Sequence, residues 1–374
     1  MEERSMKILI LSRYTRLGAS SRLRLYQFIP HWEDAGIDCV VHPLLNDRYL
    51  QELYDKKGVS KVNLLKGYLS ALKRVCLAGR YDLVVIEKEV FPFLPPLAEW
   101  WLNLRGVPYI VDYDDAIFHN YDLSPRKSVR FLLGGKIASV MRRAAVVVCG
   151  NEYLAEYART AGAREVIRIP TVVDTHRYTP VVGHTTSRSV VIGWMGSPMT
   201  SKYLKTLQPA LASLASRHGI RLHLVGASEG IGLGASEAVL PWSEDTEASL
   251  IRAFDIGIMP LEDSPWEKGK CGYKLIQYMG CGLPVVGSPV GVNREIIREG
   301  INGFAPGTEA EWTSALDRLI RDPELRLRMG RAGRDMVLEQ YSLESAAQRW
   351  IGIFQTAINK RPHVRDIRNH SLSH

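Results

Sequence analysis

The residues Trp266-Glu267-Lys268-Gly269-Lys270-Cys271-Gly272-Tyr273-Lys274, followed by Leu275-Ile276-Gln277-Tyr278-Met279-Gly280-Cys281-Gly282-Leu283-Pro284-Val285-Val286, read as a glycine-rich loop, a helix, a tight turn and a buried strand. Gly269 and Gly272 let backbone approach a ligand closely, and the helix start offers unpaired N–H groups at the positive end of its dipole. Lys270 and Lys274 add full charges, so the pattern suits a diphosphate. An ordinary strand-to-helix turn with solvated lysines fits the same residues. A second concentration of chemistry is Val111-Asp112-Tyr113-Asp114-Asp115-Ala116-Ile117-Phe118-His119, three acids directly after an apolar run. They read as a metal-binding Asp-x-Asp, as polar groups of an active site, or as a turn cap at Asp112 with Asp115 paired to an arginine. His119 fits a structural or a functional role equally. Gly230-Ile231-Gly232-Leu233-Gly234 lacks the third-glycine spacing of a dinucleotide fingerprint and reads as a loop.

These residues need elements to position them. Apolar runs at Lys7–Leu11, Cys39–Val41, Asp82–Ile86, Tyr109–Val111 and Ala144–Val148 alternate with helical stretches, the first of them Leu23–Ala35. The pattern restarts at Val190–Gly193 and continues through Leu222–Gly226, Val239–Leu240, Asp255–Met259 and Pro284–Val286. Such alternation predicts α/β architecture: two Rossmann-like doubly wound domains facing a central cleft at the carboxyl ends of their strands. The polar stretch Pro180–Ser189 reads as the linker.

The chain of 374 residues is 46% hydrophobic and 24% charged, enough for two buried cores. No apolar run reaches the roughly 18 residues of a membrane span, and the start Met1-Glu2-Glu3-Arg4 is too acidic for a secretory signal, so a cytoplasmic protein is expected. Five scattered cysteines, Cys39, Cys76, Cys149, Cys271 and Cys281, lack zinc-site spacing and read as reduced thiols. Net charge is +8, and residues 1–173 carry 25 Lys/Arg against 19 Asp/Glu. The densest basic piece, Lys56 to Arg80, has no acid and interleaves Leu64, Leu65, Leu69, Leu72 and Leu77. It predicts a basic amphipathic helix whose leucines face either the core or an anionic membrane at the inner face of the cytoplasmic membrane, with nucleic acid disfavoured.

The loop-helix-strand segment, with Asn293–Phe304 after it, resembles the donor-binding half of family-4 retaining glycosyltransferases of the GT-B fold, the group 1 glycosyltransferases. Ile169-Pro170-Thr171-Val172-Val173-Asp174 resembles that family's inter-domain segment, and Phe254–Pro260 its strand before the sugar-binding loop. The resemblance implies an acceptor-side domain over residues 1–178 and a sugar-nucleotide domain over 179–342. Residues 343–374 are then a helix returning toward the first domain and a basic tail. Two family glutamates fall here on Gly269 and Gln277, so the resemblance assigns ribose to Gln277 and leaves the sugar to Glu267 or the backbone at Lys270 and Cys271. The family's phosphate-binding Arg and Lys fall on Ser197 and Lys202, beside Gly196. Lys270 and Lys274 compensate for the missing arginine. Trp242 is the candidate to flank the base, and Tyr273 completes the donor side. Asp114 stands where relatives carry a histidine near the donor sugar, with Gly18, Ser20, Arg22 and Asp115 on the acceptor side.

The implied activity is metal-independent, retaining hexosyl transfer from a UDP- or GDP-linked sugar to a lipid-linked or glycan hydroxyl in cell-envelope polysaccharide or lipopolysaccharide assembly, without a further cofactor. Asp114, Lys202 and Lys270 are the catalytic candidates. A sugar-nucleotide epimerase or hydrolase of the same fold, and an inactive donor-binding partner protein, are the alternatives.

Overall fold

The computed structural model describes residues 5–54, 60–180 and 189–359. Lys56 and Lys57, most of the polar linker and the basic tail lie outside the described residues. The chain forms two compact units, one of Met1–Pro170 with Ala346–His374, the other of Thr171–Ser345.

The first unit holds β1 (Met6–Tyr14), β2 (Ile37–Leu45), β3 (Leu83–Glu87), β4 (Tyr109–Tyr113), β5 (Val146–Cys149) and β6 (Val166–Arg168), all parallel in the order β2-β1-β3-β4-β5-β6. Ile8, Leu9 and Ile10, Val84, Val85 and Ile86, and Val146, Val147 and Val148 are fully buried. That is why these strands are continuous apolar runs: helices cover both faces of a parallel sheet. Pairing of Glu87 with Asp112 brings the ends of β3 and β4 level. The helix expected over Leu23–Ala35 is instead a π-helical turn, Arg22–Tyr26, and a short α-helix, Ile29–Asp34. Pro30 lacks an amide hydrogen and fits only the first turn of a new helix. The last helix, Leu343–Asn359, packs Trp350 and Phe354 against Trp32, with ring centroids 5.7 and 5.0 Å apart.

The second unit holds β7 (Val191–Met195), β8 (Arg221–Val225), β9 (Glu237–Leu240), β10 (Ile256–Met259), β11 (Val285–Gly287) and β12 (Gly303–Phe304), again all parallel, in the order β12-β11-β10-β7-β8-β9. The division falls at 170/171 and 345/346 rather than at 178/179 and 342/343. Thr171–Tyr178 belongs to the second unit because Val173 exchanges backbone bonds with Tyr341 and Leu343, while Arg334 donates to Thr175 O at 2.9 Å.

Gly193 of β7 pairs with Gly257 of β10. A Cβ on Gly193 would stand 2.0 Å from the Phe254 ring, and one on Gly257 2.3 Å from the Tyr278 ring. The bare backbone lets both rings lie on the sheet, and the Tyr278 hydroxyl accepts the Met195 amide at 2.9 Å, fixing the end of β7. Gly257→Ala should therefore lower stability by about 1–3 kcal/mol through overpacking, read as a lower urea midpoint at unchanged slope.

Candidate functional site

In open parallel sheets, ligands bind beyond the strand carboxyl ends where the strand order reverses. The reversal lies between β7 and β10 in the second unit, and between β1 and β3 in the first. The chemistry predicted from sequence collects at these two points, each within its own unit.

In the second unit the eight-residue helix Tyr273–Gly280 starts from Gly272, whose φ of +64° is left-handed. Glycine adopts that conformation without strain, whereas Gly269, at φ −74°, needs no such freedom. Lys270 and Lys274 are half-buried, their ammonium groups 5.4 Å from the Trp266 ring and 5.6 Å from the Trp194 ring. Lys202 is exposed, 4.9 Å over the Tyr203 ring. Gly196 and Ser197 follow β7 directly, and Ser197 O receives Thr200 Oγ1 at 3.0 Å. Each lysine thus lies along an aromatic face that limits its freedom.

Glu267 is buried, with Oε1 accepting the Tyr203 hydroxyl and Oε2 the Ser264 hydroxyl. Burial would raise its carboxyl, but those two bonds and Lys202 outweigh burial and hold it below the usual carboxylate range. Its action is to hold the loop against the turn that carries Lys202. Gln277 is buried as well, donating from Nε2 to the Tyr178 hydroxyl at 2.9 Å. Tyr178 in turn donates to Glu247, which also accepts Trp242 Nε1 at 2.6 Å, and the Tyr273 hydroxyl bonds Tyr178. Gln277, Tyr273 and half-buried Trp242 therefore belong to one hydrogen-bonded chain through Tyr178 and Glu247. Sequence reading missed those two because they come from segments far apart in the chain. Cys271 is buried, its Sγ 3.9 Å from Gly269 O. The amides of Ile231 and Gly232 are engaged by the Glu237 carboxylate, at 2.8 and 3.2 Å, in line with a loop.

In the first unit the cluster centres on Lys88, which sequence reading passed over. It follows β3 with φ +67°, rare for a residue with a side chain. Its ammonium reaches Asp114 Oδ1 at 2.9 Å, Ser20 Oγ at 2.8 Å and Asp115 Oδ2 at 3.7 Å, and Ser20 also donates to Asp114 Oδ2. Burial opposes the charge on Lys88, but Asp114, Asp115 and Glu87 outweigh it and raise its pKa. Burial likewise opposes the Asp114 carboxylate, yet Lys88, Ser20 and Arg24 bring it down to about 2. Asp112 does not cap a turn: Arg24, placed by the π-helical turn, grips it at 2.9 and 2.6 Å with both side chains buried. Asp115 Oδ2 lies 3.7 Å from the Lys88 ammonium. Arg22, expected on the acceptor side, is buried, with Nη1 on Arg16 O at 3.4 Å. Gly18 is buried against Tyr14, where a Cβ would stand 2.4 Å from Tyr14 Cβ. His119 is held between Asp122 and Tyr153, at 2.9 and 2.8 Å.

Asp114→Asn leaves Lys88 short of its nearest counter-charge and should cost about 3 kcal/mol at neutral pH. Because the folded Asp114 carboxyl lies at about 2, below its ordinary 3.8, its contribution is present above pH 3.8 and lost as pH falls through 2. Urea unfolding of both proteins should give a constant difference from pH 7 to 4 that closes toward pH 2.

Residues 189–322 match the model of the glycosyl transferases group 1 family, and residues 30–171 that of a glycosyl transferase 4-like domain. An MMP alpha-(1->4)-mannosyltransferase from Mycolicibacterium hassiacum is 27% identical over 208 residues, 51% of this chain and 48% of that one. The chain spans about half the length of the curated relatives it matches. Two solved structures share its fold. A sucrose-phosphate synthase from Thermosynechococcus elongatus has a TM-score of 0.70 at 16% identity over 94% of this chain and 98% of that one. Anabaena HepE, solved in complex with UDP and glucose, has a TM-score of 0.69 at 17% identity over 94% of this chain and 100% of that one. One family model falls on each six-stranded unit in turn, and the chain belongs to the group 1, family-4 glycosyltransferases of GT-B architecture.

Proposed function

We propose that the protein transfers a hexosyl group from a nucleoside diphosphate sugar to a hydroxyl acceptor, with retention of anomeric configuration. The observation that carries this reading is the convergence of Lys202, Lys270, Lys274 and the Tyr273–Gly280 helix N-terminus beyond the carboxyl ends of β7 and β10. Departure of the nucleoside diphosphate places negative charge on the distal phosphate, and these groups stabilise charge that grows in the transition state. The phosphate charge is assigned to them rather than to a metal, and the leaving phosphate takes the acceptor proton. The UDP complexes of HepE support UDP as the nucleotide.

The Lys88–Asp114–Ser20 cluster is assigned to the acceptor side. A carboxylate held at about 2 and bonded to both neighbours is a poor proton acceptor, so Asp114 positions its surroundings rather than acting as a base. A lipid-linked acceptor and envelope glycan assembly at the inner face of the cytoplasmic membrane are the proposed setting. The basic first unit supports it. No helix among the described residues is long and apolar enough to cross a membrane.

Thermal unfolding with UDP, GDP, ADP and their sugar conjugates tests the reading. A ligand at 100 times its Kd stabilises by about 2.7 kcal/mol. One nucleotide should raise the midpoint selectively, and Lys270→Ala and Lys274→Ala should each abolish that rise. No shift with any nucleotide sinks the proposal, and sugar released without an acceptor would make the enzyme a hydrolase.

A further inference from the structure

Three helices of the first unit turn apolar side chains outward. In Leu97–Leu104, Ala98, Glu99 and Leu102 face the core while Leu97, Trp100, Trp101 and Leu104 are exposed, at the i, i+3, i+4, i+7 spacing that ordinarily marks the buried stripe. In Lys61–Cys76, Ala71 and Val75 are buried, whereas Val62, Leu65, Leu69 and Leu72 form a second, outward stripe. Of the five leucines of the basic segment, Leu64 packs on the Leu44, Leu45 and Ala71 core and Leu77 is half-buried, so the outward stripe is left to Leu65, Leu69 and Leu72 beside Val62. In Lys127–Leu133, Phe131 and Leu132 are 89% and 74% exposed.

The elements adjoin. Tyr68 donates to Pro92 O at 3.0 Å and stacks on Phe91, joining the Lys61–Cys76 helix to the loop that leads into Leu97–Leu104. Trp100 Nε1 donates to Ser139 Oγ at 3.1 Å, and Lys136, just after Phe131 and Leu132, donates to Phe91 O at 2.6 Å. At the loop tip Phe93 is exposed with φ +57°, its amide donating to the Tyr121 hydroxyl. Tyr121 donates to Glu89, which Lys136 and Arg13 hold at 2.5 and 3.2 Å. A buried ionic network thus holds an aromatic side chain out in solvent.

Over residues 60–80, 90–105 and 123–143 the only acid is Glu99, which is buried and accepts the Val90 amide. Every exposed charge in these stretches is Lys or Arg. We propose that this face seats the protein on an anionic lipid bilayer, with Trp100, Trp101, Phe131 and Leu132 entering the interface and the basic side chains meeting the headgroups. Tryptophan favours the membrane–water boundary, and Lys and Arg carry their charge out to it on apolar stems. Large exposed apolar side chains on three adjoining helices mark a surface that takes an occupant. A second copy fits poorly, since a two-fold contact would set the same cations against each other. The proposal deepens the lipid-linked part of the reading above and is independent of sugar transfer.

The test is co-sedimentation of the full chain with phosphatidylcholine vesicles, with and without about one third phosphatidylglycerol, over a salt series. Partition onto the anionic vesicles should be at least tenfold stronger and weaken with salt, and bromine-labelled acyl chains should quench tryptophan fluorescence. Phe131→Ser with Leu132→Ser should reduce binding about tenfold, and Trp100→Phe with Trp101→Phe should remove most of the quenching. Phe131→Ser with Leu132→Ser should leave the thermal midpoint unchanged, because both side chains face solvent, and neither pair should change the nucleotide-induced shift. Absence of binding, equal binding to neutral vesicles, binding indifferent to the Phe131 and Leu132 changes, or a dimer by light scattering that those changes dissolve would each overturn it. A nucleotide shift without vesicle binding defeats this proposal alone, and vesicle binding without a nucleotide shift defeats the transfer reading alone.

Discussion

A parallel sheet covered on both faces admits almost no polar side chain along its strands, so chemistry is confined to the strand ends. The central strands of both units obey this constraint. Along β1, β3 and β5 the buried side chains are mostly valine, isoleucine and leucine, and past the carboxyl ends of β7, β3 and β4 come Gly196, Lys88 and Asp114. Reversal of strand order then opens one gap in each sheet, between β7 and β10 and between β1 and β3. The remaining features serve to hold side chains at those gaps. The facing glycines Gly193 and Gly257 admit Phe254 and Tyr278, and Tyr278 pins the end of β7.

The two gaps solve the problem of charge differently. In the second unit Lys202, Lys270 and Lys274 each lie over an aromatic face, which holds positive charge beside the strand ends. In the first unit positive and negative charges already pair: Lys88 with Asp114, Arg24 with Asp112, and Glu89 with Lys136 and Arg13. Buried pairs contribute little net stability, yet removing one partner is costly, so they act as clamps on geometry. One such clamp fixes Ser20 beside Asp114, and another, through Tyr121, holds Phe93 outward.

Sequence patterning made the two α/β units legible, because apolar runs of four or five residues separated by helical stretches have few other solutions. The edge strands β6 and β12, three and two residues long, carry too little pattern to be read. The turn into the Tyr273–Gly280 helix was legible from Gly272, whose left-handed backbone favours glycine. The hydrogen-bond partners of Glu267 and Gln277 were not legible, because Tyr203 and Tyr178 lie 64 and 99 residues away. Lys88 escaped notice because Glu87-Lys88-Glu89 looks like a solvated charge run.

The sequence by itself determined the alternation of strand and helix, the basic balance of the first half and the glycine-and-lysine make-up of the loop, all of which follow from local periodicity and residue type. Only the tertiary structure decided which way side chains point. It turned Leu65, Leu69, Trp100 and Phe131 outward and drew Arg22, Glu267 and Gln277 inward. Orientation depends on partners brought together by long-range packing, and no local pattern encodes them.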